Sequence, residues 1–168
     1  MSEITNKIKT FEDACEVLGK DHEDVALFRD LSTLPTPLPP DLMAYIKLRI
    51  VCLALNEGWQ PKFTVDEVRY WPWLWLYTQA EYDRLDDADK KELLLFGGDA
   101  ANLARCGVAC SGSHHAFSYS GTSIGARLAL KSRELAIYCG RQFLPLWTAL
   151  YVKPAPDDAV QAYEDNHR

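Results

Sequence analysis

The chain has 168 residues, enough for one domain with a core of its own. With 48% hydrophobic, 11% aromatic and 25% charged residues, it is not a disordered, collagen-like or coiled-coil chain. The 18 Lys+Arg against 24 Asp+Glu leave a net charge of −6, which opposes general nucleic-acid binding.

The first ten residues, Met1 to Thr10, are polar with Lys7 and Lys9, and no apolar stretch follows. No secretory signal is expected there. Thr10 with Asp13 three residues later is a capping-box start. Phe11, Ala14, Cys15 and Leu18 follow at helical spacing and Gly19 stops them, which predicts a helix over 11–18. A short helical turn is expected around Val25 to Leu31. The connector Leu34-Pro-Thr-Pro-Leu-Pro-Pro40 then lacks donors and reads as an extended spacer, with a ligand for a proline-binding partner as the other reading.

Asp41 opens the strongest helix of the first half, with Leu42, Tyr45, Ile46, Leu48, Val51, Cys52 and Leu55 as its apolar stripe and Gly58 beyond its end. Lys47 and Arg49 interrupt it, so it falls short of the roughly 18 apolar residues that a membrane span needs. The segment Val68 to Tyr77 is rich in strand formers. Alternation puts Arg69, Trp71, Trp73, Trp75 and Tyr77 on one face and Val68, Tyr70, Leu74 and Leu76 on the other. Pro72 cannot donate to a ladder, so an edge position or a bulge is expected.

Thr78 with Glu81 caps a short helix, Asp86 to Glu92 reads as a solvated helical turn, and Gly97-Gly98 breaks the chain after Leu93 to Phe96. Between Cys106 and Lys131, glycines at 107, 112, 121 and 125 divide apolar residues into an expected run of short strands, ending in an alternating strand over 126–131. Ser132 caps a long helix through Leu135, Tyr138, Cys139, Phe143, Leu146, Trp147 and Leu150, which Pro145 should kink. Residues 153–168 read as a polar, mobile tail. Residues 1–152 are thus expected to form one α+β domain: an antiparallel β-meander of about three to five strands, covered on one face by N-terminal helices and a long C-terminal helix.

Several blocks carry a resemblance. Ala54-Leu-Asn-Glu-Gly-Trp-Gln-Pro-Lys-Phe63, Tyr70-Trp-Pro-Trp-Leu74, the stretch Gly125 to Phe143 and Ile8-Lys-Thr-Phe-Glu-Asp-Ala-Cys15 together span most of residues 7–151. They are similar to a family of small proteins encoded by tailed phages, including crAss-like phages, and by prophages and mobile elements of Bacteroidales. Trp71 and Leu74 stand where Tyr and Phe are commoner in that family, and Ala126 and Ala129 where Ser and Cys are commoner. The resemblance implies a phage or mobile-element accessory protein. It brings no activity, cofactor or catalytic residue to this chain.

Charge is uneven: residues 1–104 carry −8, residues 105–151 carry +4 and the remainder −2. Lys131-Ser132-Arg133 stands where helix N–H groups and the macrodipole favour an anion. With Arg127, His114 and His115 these residues are a candidate site for a nucleotide or other anionic small molecule. The other reading is a plain helix cap whose cations pair with acids of the first half. Trp71, Trp73, Trp75 and Tyr77 form a candidate interaction face for a protein partner, or for single-stranded nucleic acid by stacking; core burial is the commoner explanation of such aromatics.

Cys106-x3-Cys110-x3-His114-His115 does not bring ligands together on one strand, because residues four apart lie about 13 Å from each other. No metal or cofactor is expected. No acid between Arg105 and Arg133 orients a histidine beside Ser or Cys, and phosphate-loop and His-Glu-x-x-His signatures are missing. The five cysteines, an odd number, fit reduced thiols of a cytoplasmic protein. The expectation is a non-enzymatic binding protein with a protein partner, no membrane contact and an oligomeric state that sequence leaves open.

Overall fold

The computed structural model describes residues 3–62, 64–97, 105–117 and 126–167. The chain begins with α1 (Glu3–Lys7), α2 (Phe11–Leu18), α3 (Glu23–Ser32) and α4 (Pro40–Asn56). After β1 (Val68–Tyr77) come α5 (Gln79–Tyr82), α6 (Asp87–Lys91), β2 (Leu94–Gly97) and β3 (Arg105–Phe117). A 3-10 turn (Ala126–Leu128) leads into α7 (Arg133–Gln142), α8 (Leu144–Tyr151) and α9 (Asp157–His167). Helices and an antiparallel three-stranded sheet make this an α+β fold.

The helix starts are local chemistry. Thr10 and Asp13 exchange hydrogen bonds across the first turn of α2, and Thr78 and Glu81 do the same for α5. Gly19 closes α2 with φ at +89°, where a side chain would be strained. Asp13 has its carboxyl held below the usual range: burial pushes the other way, but the N–H groups of Lys9 and Thr10 outweigh it.

α4 is the central helix. Leu48, Ile50, Val51, Cys52 and Leu55 are fully buried, and α2, α3, α8 and the 3-10 turn pack around it. Its two cations leave the core by different routes. Lys47 lies over the Phe11 and Phe28 rings, themselves an edge-to-face pair 4.7 Å apart, and Arg49 pairs with the buried Asp24.

β3 is the middle strand, in the order β1-β3-β2. Where short strands and tight turns were expected from Cys106 on, one 13-residue strand runs through Gly107 and Gly112. Leu93 and Leu95 cross directly over Gly107, leaving no room for a side chain. Gly112 sits beside a bulge: Trp73 pairs with Gly112 and Leu74 with Cys110, so Ser111 is the extra residue. The strand expected over 126–131 is instead the 3-10 turn and a single bridge, Tyr70 to Leu130. The turns expected at Gly121 and Gly125 lie outside the described residues.

The long C-terminal helix divides. α7 ends at Gln142, and Pro145 stands in the first turn of α8, where its missing N–H breaks no helical bond. α7 lies on β1 and β3, with Gly140 against Pro72 and Cys110. Residues 1–10 and 153–168 contain structure that sequence patterning did not signal. α1 anchors Ile4, with Ile8 just beyond its end, in the main core, while α9 buries Tyr163 against Leu94, Val108 and Leu144.

Two phenols tie helices down. Tyr138 donates to the Ile8 carbonyl and Tyr163 to the Arg141 carbonyl, the latter at 2.8 Å. Burial, with lesser help from Cys139 and Asp13, pushes the Tyr138 phenol up to about 12. A raised folded pKa favours the neutral phenol, so this stabilisation is complete below about pH 10 and is lost as pH rises through about 12. Tyr138→Phe is expected to cost about 1 kcal/mol at neutral pH and to flatten the alkaline loss of stability. Urea unfolding at pH 7 and pH 11 checks this, and an unchanged alkaline slope in the variant contradicts it.

Candidate functional site

The first candidate forms where α7 begins. Tyr70, Ser113, His115, Lys131, Ser132, Arg133 and Glu134 line an open hollow of about 590 Å3. The bridge between Tyr70 and Leu130 brings β1 beside the chain entering α7, and the β1–β3 register puts His115 opposite Tyr70, their rings 5.8 Å apart. Four of the six residues singled out for an anion, His115, Lys131, Ser132 and Arg133, therefore share one surface.

Arg127 and His114 do not join them. Arg127 lines another cleft, of about 350 Å3, with Asp24, Arg49 and Trp59. His114 turns to the other face of the sheet, where its ring lies 5.2 Å from Trp71 and 5.3 Å from Trp73. Cys110, by contrast, faces α7, with its thiol near the Ile137 carbonyl at 3.8 Å. Cys110 and His114 thus stand on opposite faces.

The hollow is already electrostatically occupied. Lys131 Nζ binds Glu57 Oε2 at 2.7 Å and the Asn56 carbonyl at 3.2 Å. The Ser132 hydroxyl accepts from the Leu135 N–H at 3.2 Å. The Glu134 carboxyl is held below the usual carboxylate range by its own backbone N–H and the Ser132 hydroxyl, with Arg133 helping. A carboxylate of the chain itself therefore sits at the positive end of α7. Glu57 and Asn56 complete this arrangement from 74 and 75 residues away, and no sequence spacing signals such partners.

The second candidate is β1. Trp71 is buried in the main core, but Trp73 and Trp75 are each 47% exposed and Leu76 is 56% exposed, while Tyr77 is half-buried. No charged residue occurs from Tyr70 to Tyr77. β1 is an edge strand whose outer side pairs only at Tyr70 with Leu130 among the described residues. Both bonds of that bridge, at 3.0 and 2.8 Å, use the Tyr70 backbone, so by alternation Pro72, Leu74 and Leu76 also direct their backbone groups outward. Pro72 thus removes a donor where the β3 ladder does not need one. Beyond it, Leu74 and Leu76 offer N–H and carbonyl groups along an uncharged apolar edge.

Three of the cysteines are poor nucleophiles. Burial pushes the Cys15 and Cys110 thiols up, and a hydrogen bond with Cys139 together with burial does so for Cys52. Among the described residues no group of three His, Cys, Asp or Glu side chains is placed to hold a metal ion. No helix among them is long and apolar enough to cross a membrane. Comparison of the chain with protein-family models, curated proteins and solved structures gives no match.

Proposed function

We propose that this chain is a non-enzymatic accessory protein of a tailed phage or mobile element of Bacteroidales, acting in the host cytoplasm by binding a protein partner along β1. One observation carries the reading: two tryptophans and a leucine stand half-exposed or more on an uncharged edge strand. Folded monomers ordinarily blunt such edges with charge or cover. An extended segment of a partner adds to a free edge through main-chain hydrogen bonds, and aromatic anchors supply most of the affinity. The resemblance of the Tyr70-Trp-Pro-Trp-Leu74 and neighbouring blocks supports the phage or mobile-element origin.

The alternative, a nucleotide or other anionic ligand at the hollow beside α7, has less support. Lys131 is committed to Glu57, and Glu134 already meets the helix end. Single-stranded nucleic acid is weaker still, since a net charge of −6 repels it and the cations of the hollow do not adjoin the tryptophan face.

The test uses two variants. Trp73→Ser with Trp75→Ser removes the anchors, and Leu76→Pro removes one outward N–H without touching the β1–β3 ladder. Each is immobilised beside the unaltered protein in a Bacteroidales host lysate and the captured proteins are quantified. A protein retained by the unaltered chain and lost at least tenfold from both variants, at equal helix content, is the expected result. The same proteins held by all three chains, or none above a blank support, overturns the reading.

A further inference from the structure

The open side of β1 is bounded at both ends. Its alternation directs the backbone groups of Pro72, Leu74 and Leu76 outward, and among the described residues nothing beyond the Tyr70–Leu130 bridge pairs with them. At the far end the backbone of Thr78 is already satisfied: its N–H donates to Glu81 Oε2 at 2.8 Å and its carbonyl accepts from the Tyr82 N–H at 2.9 Å. At the near end Pro72 has no N–H to give. The groups open to a partner strand are therefore the N–H and carbonyl of Leu74 and of Leu76, with the Pro72 carbonyl.

This set is self-complementary. When a second copy lies antiparallel with its Trp75 opposite Trp75, Leu74 faces Leu76 of the second copy and Leu76 faces its Leu74. All of these are outward residues, so each pair exchanges both hydrogen bonds. Pro72 then faces Thr78 of the second copy, whose backbone is already bonded, and the missing donor costs nothing. A two-fold axis through Leu74 would instead set Pro72 against Leu76 and leave a Leu76 carbonyl without a donor. On the other face, the Trp75 register sets Trp75 against Trp75 and Trp73 against Tyr77 as non-hydrogen-bonded pairs, the closer kind, with Cα atoms about 4.5 Å apart. Aromatic pairs directly opposite stabilise a sheet. No charge lies between Tyr70 and Tyr77, so identical strands meet without the like-charge repulsion that opposes self-pairing of charged ones.

We propose that β1 pairs antiparallel with β1 of a second copy about a two-fold axis through Trp75, so that the free protein covers its own binding edge. This rests on the reading of β1 as a binding edge and names what occupies it when no other partner is present. The association is weak: Trp73 and Trp75, each 47% exposed, offer about 100 Å2 apiece. With Leu76 the two copies cover well under the roughly 1,600 Å2 of a standard interface. A partner segment entering the same edge therefore displaces the second copy.

Sedimentation equilibrium of the full chain, from about 5 to about 500 µM in about 0.15 M salt, measures the pairing. A reversible monomer–dimer equilibrium is expected. Leu76→Pro, which removes one outward N–H and leaves the β1–β3 ladder intact, should weaken it at least tenfold. Trp73→Lys with Tyr77→Lys sets like charges opposite each other in both cross-strand pairs. Trp73→Lys with Tyr77→Glu sets opposite charges there and should associate at least tenfold more tightly than the Lys–Lys variant. A two-fold axis at any other residue of β1 does not place 73 opposite 77, so this comparison reads the register. Helix content and melting temperatures within a few degrees of the unaltered chain establish that the variants are folded, and Leu76→Pro carries the test if the Tyr77 variants are not. A monomer at every concentration, a dimer indifferent to Leu76→Pro, or equal association of the two charge variants overturns the self-pairing. Sedimentation reads only copies of this chain and lysate capture only foreign proteins, so the self-pairing and the β1 reading fail separately.

Discussion

Gly140→Ala is expected to destabilise the protein by about 2–3 kcal/mol, although alanine is the better helix former by about 1 kcal/mol. A methyl group at Gly140 would overlap the Cys110 thiol and approach Pro72 Cβ to 2.7 Å. Neither neighbour is the end of a flexible chain. Cys110 is buried in the central strand and Pro72 is a ring in β1, so relief requires moving α7 off the sheet. Overpacking therefore outweighs propensity, and for a chain of this size the melting temperature should fall by about 5–10 °C. Adding Cys110→Ala to Gly140→Ala should return part of the loss, because the thiol overlap disappears while the Pro72 contact stays. Thermal and urea unfolding of the two single variants and the double variant measures this coupling. A Gly140→Ala protein as stable as the unaltered one contradicts the close contact of α7 with the sheet.

Asn56→Ala should cost about 3 kcal/mol. The Asn56 side chain donates to the Ala129 carbonyl at 2.8 Å and accepts from the Lys131 N–H at 3.1 Å. It is thereby the polar joint between the end of α4 and the chain that enters α7. Alanine leaves a buried carbonyl and a part-buried N–H without partners, at roughly 1–3 kcal/mol each. Asn56→Asp keeps the acceptor but turns a carboxylate toward the Ala129 carbonyl. Its protonated form alone can donate there, so the variant's folded pKa should be raised and its stability should fall as pH rises above about 4. Urea unfolding between pH 4 and pH 8 checks both variants. A loss below 1 kcal/mol for Asn56→Ala, or an Asn56→Asp protein gaining stability with pH, would remove this joint from the account.

Several elements were legible because their determinants are local. The Thr10–Asp13 and Thr78–Glu81 boxes, the Ser132 cap and the Gly19 stop act within three or four residues, and the structure contains all of them. The strand at Val68 to Tyr77 and its irregularity near Pro72 were equally readable, since composition, alternation and a missing donor lie in the segment itself. α1 and α9 were not. α1 offers only Ile4, with Ile8 beyond its end, and α9 only the short row Ala159, Val160 and Tyr163 in an otherwise polar segment, so both helices are stabilised chiefly by burial against distant elements. Gly107 misled for a related reason. Its place in mid-strand follows from Leu93 crossing above it, which no turn propensity records.

By itself, then, the amino-acid sequence determined where α2, α5 and α7 begin, that one strand would be aromatic and lie at an edge or carry a bulge, and that residues 105–151 would carry a net positive charge. Tertiary structure alone decided what each of those residues faces. It buried Trp71 and left Trp73 and Trp75 half-exposed on the same face, gave Lys131 to Glu57, and sent Arg127 to a cleft away from Arg133. The physical reason is range. Caps and strand alternation are interactions between neighbours in the chain, whereas burial and ion pairing are set by how α4, the sheet and α7 pack across some 75 residues.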